Sequence, residues 1–425
     1  MLFLTATFVK GLQYSEMSWK SIMTPARDSG VVLSVGFGYA KLTPSGSVVW
    51  AKSVPTWRLD YIGTYPGGYF FTQDRNGFML SLIDENGNIV RSFTYSYSSF
   101  CGTNVQDAVW DGDGFVFLLL SCFNDLSAYR PALVKIDTLG NVMWAKRYPS
   151  LGEDTDALVK VGSRFLIAAT DTSDTVVIFA TDGNGNPLWA KKMGFTRQMS
   201  YWGWRVMRLE RIGTDVLFYL RTGSEPLIRL DTLGNVVWDR RMLYMNGYDL
   251  LVLGGDIYVG GWENVVKLDS TGNLIWKKKY ATSWVASIYD ITFADGHIYA
   301  YADPNFAADT LLLIKIDTST GYAPCSQDAS VSAYDTTFSI SSITPPAAEN
   351  MILSRSSGET AGSATVAVFN GCITTDISEG ETPVFCGNEG EIYDVSGRRY
   401  GRIPGRPGVY LVKECRTIRR VIRKR

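Results

Sequence analysis

This 425-residue chain offers one histidine and forty-two Asp and Glu carboxylates for acid–base chemistry. His297 follows a turn and opens an apolar run, so it reads as a packed strand residue rather than a base. A serine–histidine–carboxylate triad would have to use it, and no Gly-x-Ser-x-Gly elbow occurs. No His-Glu-x-x-His, phosphate-binding loop or dinucleotide fingerprint is present. The six cysteines are not spaced as zinc-binding pairs. Asp182-Gly-Asn-Gly-Asn186 begins like a calcium loop, but Pro187 stands at the sixth position and no Glu at the twelfth. The expectation is a chain that is not an enzyme and holds no resident metal or cofactor.

Two sets of residues could still recognise something. Asp60, Asp107, Asp156, Asp249 and Asp290 each stand six or seven residues before a Gly-containing turn, at the start of an apolar strand. Carboxylates in that position tie backbone N–H groups of neighbouring units. The sharper reading is that they line one mouth of a channel and bind a cation, calcium being the hard ion that wants several oxygens. The second set is aromatic and cationic: Trp57, Arg58, Tyr201, Trp202, Trp204, Tyr248 and Trp284 lie in the loops that precede such strands. Loops on a rigid scaffold carry function, and Trp, Tyr and Arg dominate binding hot spots. These residues form a candidate ligand-binding face for a protein or a glycan. The bland reading is that they pack over the channel end.

The elements that would position these residues repeat. Lys41-Leu-Thr-Pro-Ser-Gly-Ser-Val-Val-Trp50 returns at 135–144, 229–238 and 267–276, with weaker copies around Gly87, Gly185 and Gly321. Each copy is an alternating strand, a turn with Asp and Gly, and a return strand ending in Trp. Copy two departs, with Arg91 in the Trp position. A second turn precedes each copy, as at Gly67-Gly68, Asp113-Gly114, Gly213, Gly254-Gly255 and Asp295-Gly296. Four short strands per period, seven periods and no helical stretch predict an all-β, seven-bladed β-propeller. The predicted boundaries are 10–325 for the propeller, 326–383 for a Ser/Thr-rich linker or β appendage, and 384–425 for a small C-terminal β module. The seventh copy lacks a return strand, and Trp19-Lys20 is expected to supply it and close the ring.

The repeat resembles long bacterial and archaeal surface propellers with K-x-D-x-x-G-N-x-x-W-A-K repeats. Asp269-Ser-Thr-Gly-Asn-Leu-Ile-Trp276 is also similar to the tryptophan-docking motif of quinoprotein-like propellers. The tail carries Tyr393, Asp394, Gly397, Arg398, Gly408, Val409 and Tyr410, followed by a basic strand. That order resembles the type A C-terminal sorting domain of the Por (type IX) secretion system, which implies export and the secretion machinery as a partner. The match is short, and its Cys pair is not part of the family pattern.

Charge and cysteines bear on the same question. The net charge is −1, but residues 390–425 carry +8, leaving −9 for the rest. Basic residues interleaved with strand-like apolars, as in Thr417-Ile-Arg-Arg-Val-Ile422, predict a folded module with a charged face rather than a nucleic-acid arm. Six Cys in a β chain suggest an oxidising compartment, with expected disulfides Cys101–Cys122, Cys325–Cys372 and Cys386–Cys415. No run of apolar residues is long enough for a transmembrane helix. Residues 1–9 read equally as a truncated signal-peptide core or as a first strand. The sequence reading is an exported, monomeric, non-enzymatic propeller, secreted or on the cell surface, that binds protein or glycan. The alternative is a quinoprotein-like redox enzyme or an outer-envelope assembly scaffold.

Overall fold

The computed structural model describes residues 8–13, 23–35, 38–54, 59–74, 77–96, 100–123, 128–171, 173, 175–196, 207–221, 225–242, 247–280, 286–304, 310–324, 326–329, 333–335, 340–351, 353–357, 362–363, 367–370, 392–394, 399–400, 408–414 and 417–423. Among them every regular element is a β-strand. Of seven antiparallel sheets, six take four consecutive strands in chain order, the first innermost, and the seventh takes three and is completed by the N-terminal strand Phe8–Gln13. The first strands of the seven sheets contact one another in a closed cycle: Met23–Pro25, Leu59–Tyr65, Phe100–Trp110, Leu151–Val161, Met207–Ile212, Asp249–Leu253, Ala286–Ala294, and back to Met23–Pro25. The molecule is a seven-bladed β-propeller.

Seven apolar clusters hold it together. One buries Phe70, Phe78 and Tyr95 of blade 2 against Phe115, Phe117 and Val134 of blade 3, and another packs Ile167 of blade 4 against Leu118 and Leu133 of blade 3. Strands buried on both faces read as continuous apolar runs, such as Phe115–Leu119, because each blade is sandwiched between two others.

Ring closure differs from the sequence expectation. The fourth strand of blade 7 is Phe8–Gln13, paired antiparallel with Thr310–Lys315 in the register Phe8↔Lys315 to Gln13↔Thr310. The Trp19-Lys20 segment does not occupy that edge, and residues 14–22 lie outside the described set. The physical reason is edge pairing: Phe8–Gln13 lies between Thr310–Lys315 and Ala367–Asn370, which leaves no free edge for another closing strand. In blades 1, 4 and 5 a return-strand Trp donates to the carbonyl two residues before the next turn glycine. At Gly46 that carbonyl belongs to Pro44, and it accepts instead from Lys315 Nζ (3.1 Å) and Tyr299 Oη (3.3 Å).

The segment after the ring is a belt. Seven short strands run around the outside in reverse blade order and add a fifth strand to every sheet. Gln327–Asp328 pairs with blade 6, Ala333–Asp335 with blade 5, Ile340–Ile343 with blade 4 and Glu349–Asn350 with blade 3. Ser354–Ser357 pairs with blade 2 and Gly362–Ser363 with blade 1, and Ala367–Asn370 ends on Lys10–Gln13, the closing strand itself. Unpaired sheet edges invite association, and the belt covers part of each outer edge. Met351 is its apolar anchor, buried in the core cluster of blades 2 and 3 with its N–H on Ala145 O at 3.0 Å.

The tail forms a separate antiparallel sheet in the order Arg399–Tyr400, Ile392–Asp394, Gly408–Glu414, Thr417–Arg423. Cys101 lies at a bulge in the inner strand of blade 3, beside the Gly102↔Cys122 pair of its neighbour, while the side chains of both cysteines lie outside the described set. Cys325, Cys372, Cys386 and Cys415 lie outside it altogether.

Candidate functional site: the channel mouth and the inter-blade contacts

The repeated motif is a docking device, and each letter of it has a partner. The Asp fixes the turn. Asp231 Oδ1 accepts from Leu233 N and Asn235 N at 2.8 Å each, and its Oδ2 from Asn235 Nδ2 at 2.9 Å. The same set recurs at Asp84, Asp137, Asp182 and Asp269. At Asp269 burial works against the charge, but the bonds from Thr271 and Asn273 outweigh it and bring the carboxyl down to about 2. Asp182 spends its oxygens in this way on Asn184 and Asn186, so the apparent calcium loop is a hairpin turn.

The Gly receives the preceding blade. A Cβ on Gly234 would sit 2.7 Å from the Trp189 ring, and one on Gly87 2.8 Å from Trp50. Gly234 also holds φ +76°, which a side chain rarely adopts. The indoles then donate to turn carbonyls: Trp50 to Glu85 (2.9 Å), Trp189 to Thr232 (3.2 Å) and Trp238 to Ser270 (3.2 Å). Blade 2 splits this job. Arg91 donates to Thr138 O at 2.8 Å, the equivalent carbonyl, while Phe93 covers Gly140. The seventh turn is one residue longer, and buried Trp276 Nε1 finds no acceptor among the described residues.

The Lys that opens the motif is buried and meets an Asp of its own blade's earlier turn. Lys135 sits 2.6 Å from Asp111 and 2.7 Å from Asp113, Lys267 2.7 Å from Asp256, and fully buried Lys315 3.0 Å from Asp295. Burial disfavours the Lys135 ammonium, yet its bonds to Asp111 and Asp113 hold it above the ordinary lysine range. The Lys two residues after Trp reaches the belt: Lys146 to Asn350 (2.7 Å), Lys191 to Ser342 (2.9 Å) and Lys278 to Asp328 (2.5 Å). Sequence reading missed a further contact. A tyrosine four residues past the Trp position donates to the next turn glycine's carbonyl, at Tyr95–Gly140, Tyr148–Gly185 and Tyr280–Gly321. The recurrence of Tyr in three copies was a readable signal.

The channel is acidic. Asp107 Oδ1 accepts from Ala108 N and its Oδ2 from Leu158 N of blade 4, at 2.8 Å each. Asp249 accepts from Ile291 N of blade 7 (2.9 Å) and Arg208 Nε of blade 5 (3.0 Å). Asp290 accepts from Met23 N of blade 1. Three of the five predicted aspartates thus tie inner strands of adjacent blades. Asp60 is buried on the inner strand of blade 2, and Asp156 lies at a bulge in that of blade 4 with its side chain outside the described set. Glu210 of blade 5, which sequence reading did not single out, joins them. Burial, then the Asp249 and Asp107 charges, push Glu210 up to about 8. Burial raises Asp107 to about 6 against the N–H bonds it accepts. Asp290 lies well above the usual carboxylate range through burial and the neighbouring Asp249. Among the described residues no three metal-ligating groups converge on one position. His297 is buried with Nδ1 2.6 Å from Asp295 O, a strand residue tied to its own turn.

Of the predicted aromatic face, only Tyr248 is described. Its ring centroid lies 4.8 Å from that of Tyr289, and the Arg221 guanidinium stands 4.1 Å over it. Trp57, Arg58, Tyr201, Trp202, Trp204 and Trp284 lie outside the described residues. In sequence they fall between the outer strand of one blade and the inner strand of the next.

No protein-family model and no curated protein matches the chain. Among solved structures it is similar to a protein of unknown function from Bacteroides caccae, at 12% identity, with 64% of this chain and 93% of that chain covered and a TM-score of 0.40. It is also similar to the β-propeller domain of Cps50 (Swd1) from Myceliophteria thermophila, at 11% identity, with 73% and 99% covered and a TM-score of 0.48. No helix of the described residues is long and apolar enough to cross a membrane.

Proposed function

We propose that this protein is an exported, non-enzymatic propeller, secreted or held at the cell surface, that binds a protein or glycan ligand. One observation carries the binding half. Antiparallel blades whose strands follow chain order deliver every inter-blade connection to the same face of the ring. The residues between blades, at 57–58, 201–204, 248 and 284, are the Trp, Tyr and Arg cluster found in the sequence. A ring locked by turns, indoles and a belt suits a rigid platform for such loops. The export half rests on the tail. Its strands make a sheet of their own, in which Tyr393 pairs with Leu411 and Asp394 with Tyr410, so the Tyr-Asp and Gly-Val-Tyr motifs share one strand pair.

The experiment separates binding from packing. The purified protein is screened on glycan arrays and by pull-down, beside Trp202→Ala and Trp204→Ala variants. Loss of ligand with an unchanged melting temperature is the expected outcome. Unchanged binding with a loss of about 3–5 kcal/mol, the cost of truncating a buried Trp, would show these residues to be structural.

A further inference from the structure

Among the described residues, Arg221 is a buried cation without a counter-ion. It follows Asp215–Leu220, the second strand of blade 5, and only 7% of its surface is exposed. Among the described residues its Nε and Nη1 have no hydrogen-bond partner and no carboxylate pairs with it. Burying a charge unpaired is costly, so such a group normally finds an anion. Glu225 is buried nearby and influences Tyr219 together with Arg221. Yet Glu225 also stands close to buried Lys277 of blade 6 and favours its charge. One acid thus faces two bases. The partner Arg221 does have is aromatic, the Tyr248 ring at 4.1 Å. A ring face is a weaker partner for guanidinium than an ionised oxygen. Tyr248 in turn meets Tyr289 of blade 7. Arg221 ends a second strand, while Tyr248 precedes an inner strand and Tyr289 lies near the start of one, so all three belong to the face that receives the inter-blade connections.

We infer that Arg221, Tyr248 and Tyr289 form a recognition site for the carboxylate of an acidic sugar, a uronic acid unit of a glycan, with the Tyr248 ring standing in for the anion until ligand arrives. The carboxylate supplies the acceptor Arg221 lacks, and the half-buried Tyr248 and Tyr289 offer ring faces of the kind sugars use. The inference rests on the binding reading above and names its ligand class.

Glucuronate, glucose and a capped glutamyl peptide are titrated into the full chain by calorimetry, with tyrosine absorbance followed in parallel. Glucuronate should bind and perturb the tyrosine spectrum, and glucose should not. Arg221→Met should weaken glucuronate by about tenfold or more, the loss of a charge-assisted bond, while its melting temperature stays level or rises because an unpaired charge is gone. Tyr248→Phe should retain binding. Glucuronate binding equally well to wild type and Arg221→Met, or not at all, overturns the site. Preference for the glutamyl peptide overturns the sugar assignment. A fall in melting temperature for Arg221→Met with unchanged binding makes the arginine structural. If the arrays find a ligand that survives Arg221→Met, this site fails and the binding reading stands.

Discussion

Gly234 shows how much of this fold is decided at single positions. It occupies the left-handed region and leaves room for the Trp189 ring. Gly234→Ala must meet both demands at once and should cost about 2–4 kcal/mol, from backbone strain plus overpacking. Equilibrium urea unfolding measures it, and a loss below about 1 kcal/mol would mean that the inter-blade contact yields easily. The sequence made these positions legible because Asp, Gly and Trp recur in register. It concealed the substitutes. Arg91 keeps the donor bond of a Trp and Phe93 keeps its bulk, a division of labour that only three-dimensional neighbours reveal. Glu210 was equally hidden, since its partners Asp107 and Asp249 come from other blades and no local pattern links them.

At the scale of elements, the strands and their order followed from period and alternation, whereas the closing strand and the belt did not. Trp19 was a reasonable candidate because six return strands carry Trp or its stand-in. Phe8–Gln13 closes the ring instead, paired over six residues with Thr310–Lys315 on one side and with Ala367–Asn370 on the other. The sequence pointed to a linker or β appendage over 326–383, but not to a belt, because its strands are two to four residues long and each pairs with a blade far away in the chain. Its order gives a prediction. A chain ending at Ser326 loses the fifth strand of every blade and the strand that covers Lys10–Gln13. It should melt well below the full chain and associate through its bare edges. Light scattering and thermal melts report both, and a monomer of unchanged melting temperature would make the belt a passive appendage.

For the whole molecule, the central channel and the rim titrate in opposite senses. Glu210, raised to about 8, and Asp107, raised to about 6, bind protons more tightly in the folded state than in the unfolded chain. Their contribution is complete below the unfolded carboxylate values and is lost as pH rises through the folded ones. The turn aspartates behave conversely, with Asp269 and Asp317 both lowered to about 2, so theirs is complete above the unfolded value and lost as pH falls toward that figure. Stability should therefore peak near about pH 4–5 and decline toward pH 8. Glu210→Gln should remove much of that decline, and a flat profile in wild type would mean that the channel acids are solvated like surface groups. Beyond stability, the account claims that the propeller is built for display outside the cell and that its tail takes it there. The most direct test expresses the full chain and a form lacking residues 392–425, each behind the same cleavable secretion leader, in a bacterium with a working type IX secretion system, and locates each by fractionation and surface protease. The account predicts the full chain at the surface or in the medium and the shortened one retained in the periplasm. Finding both forms in the same compartment would contradict it.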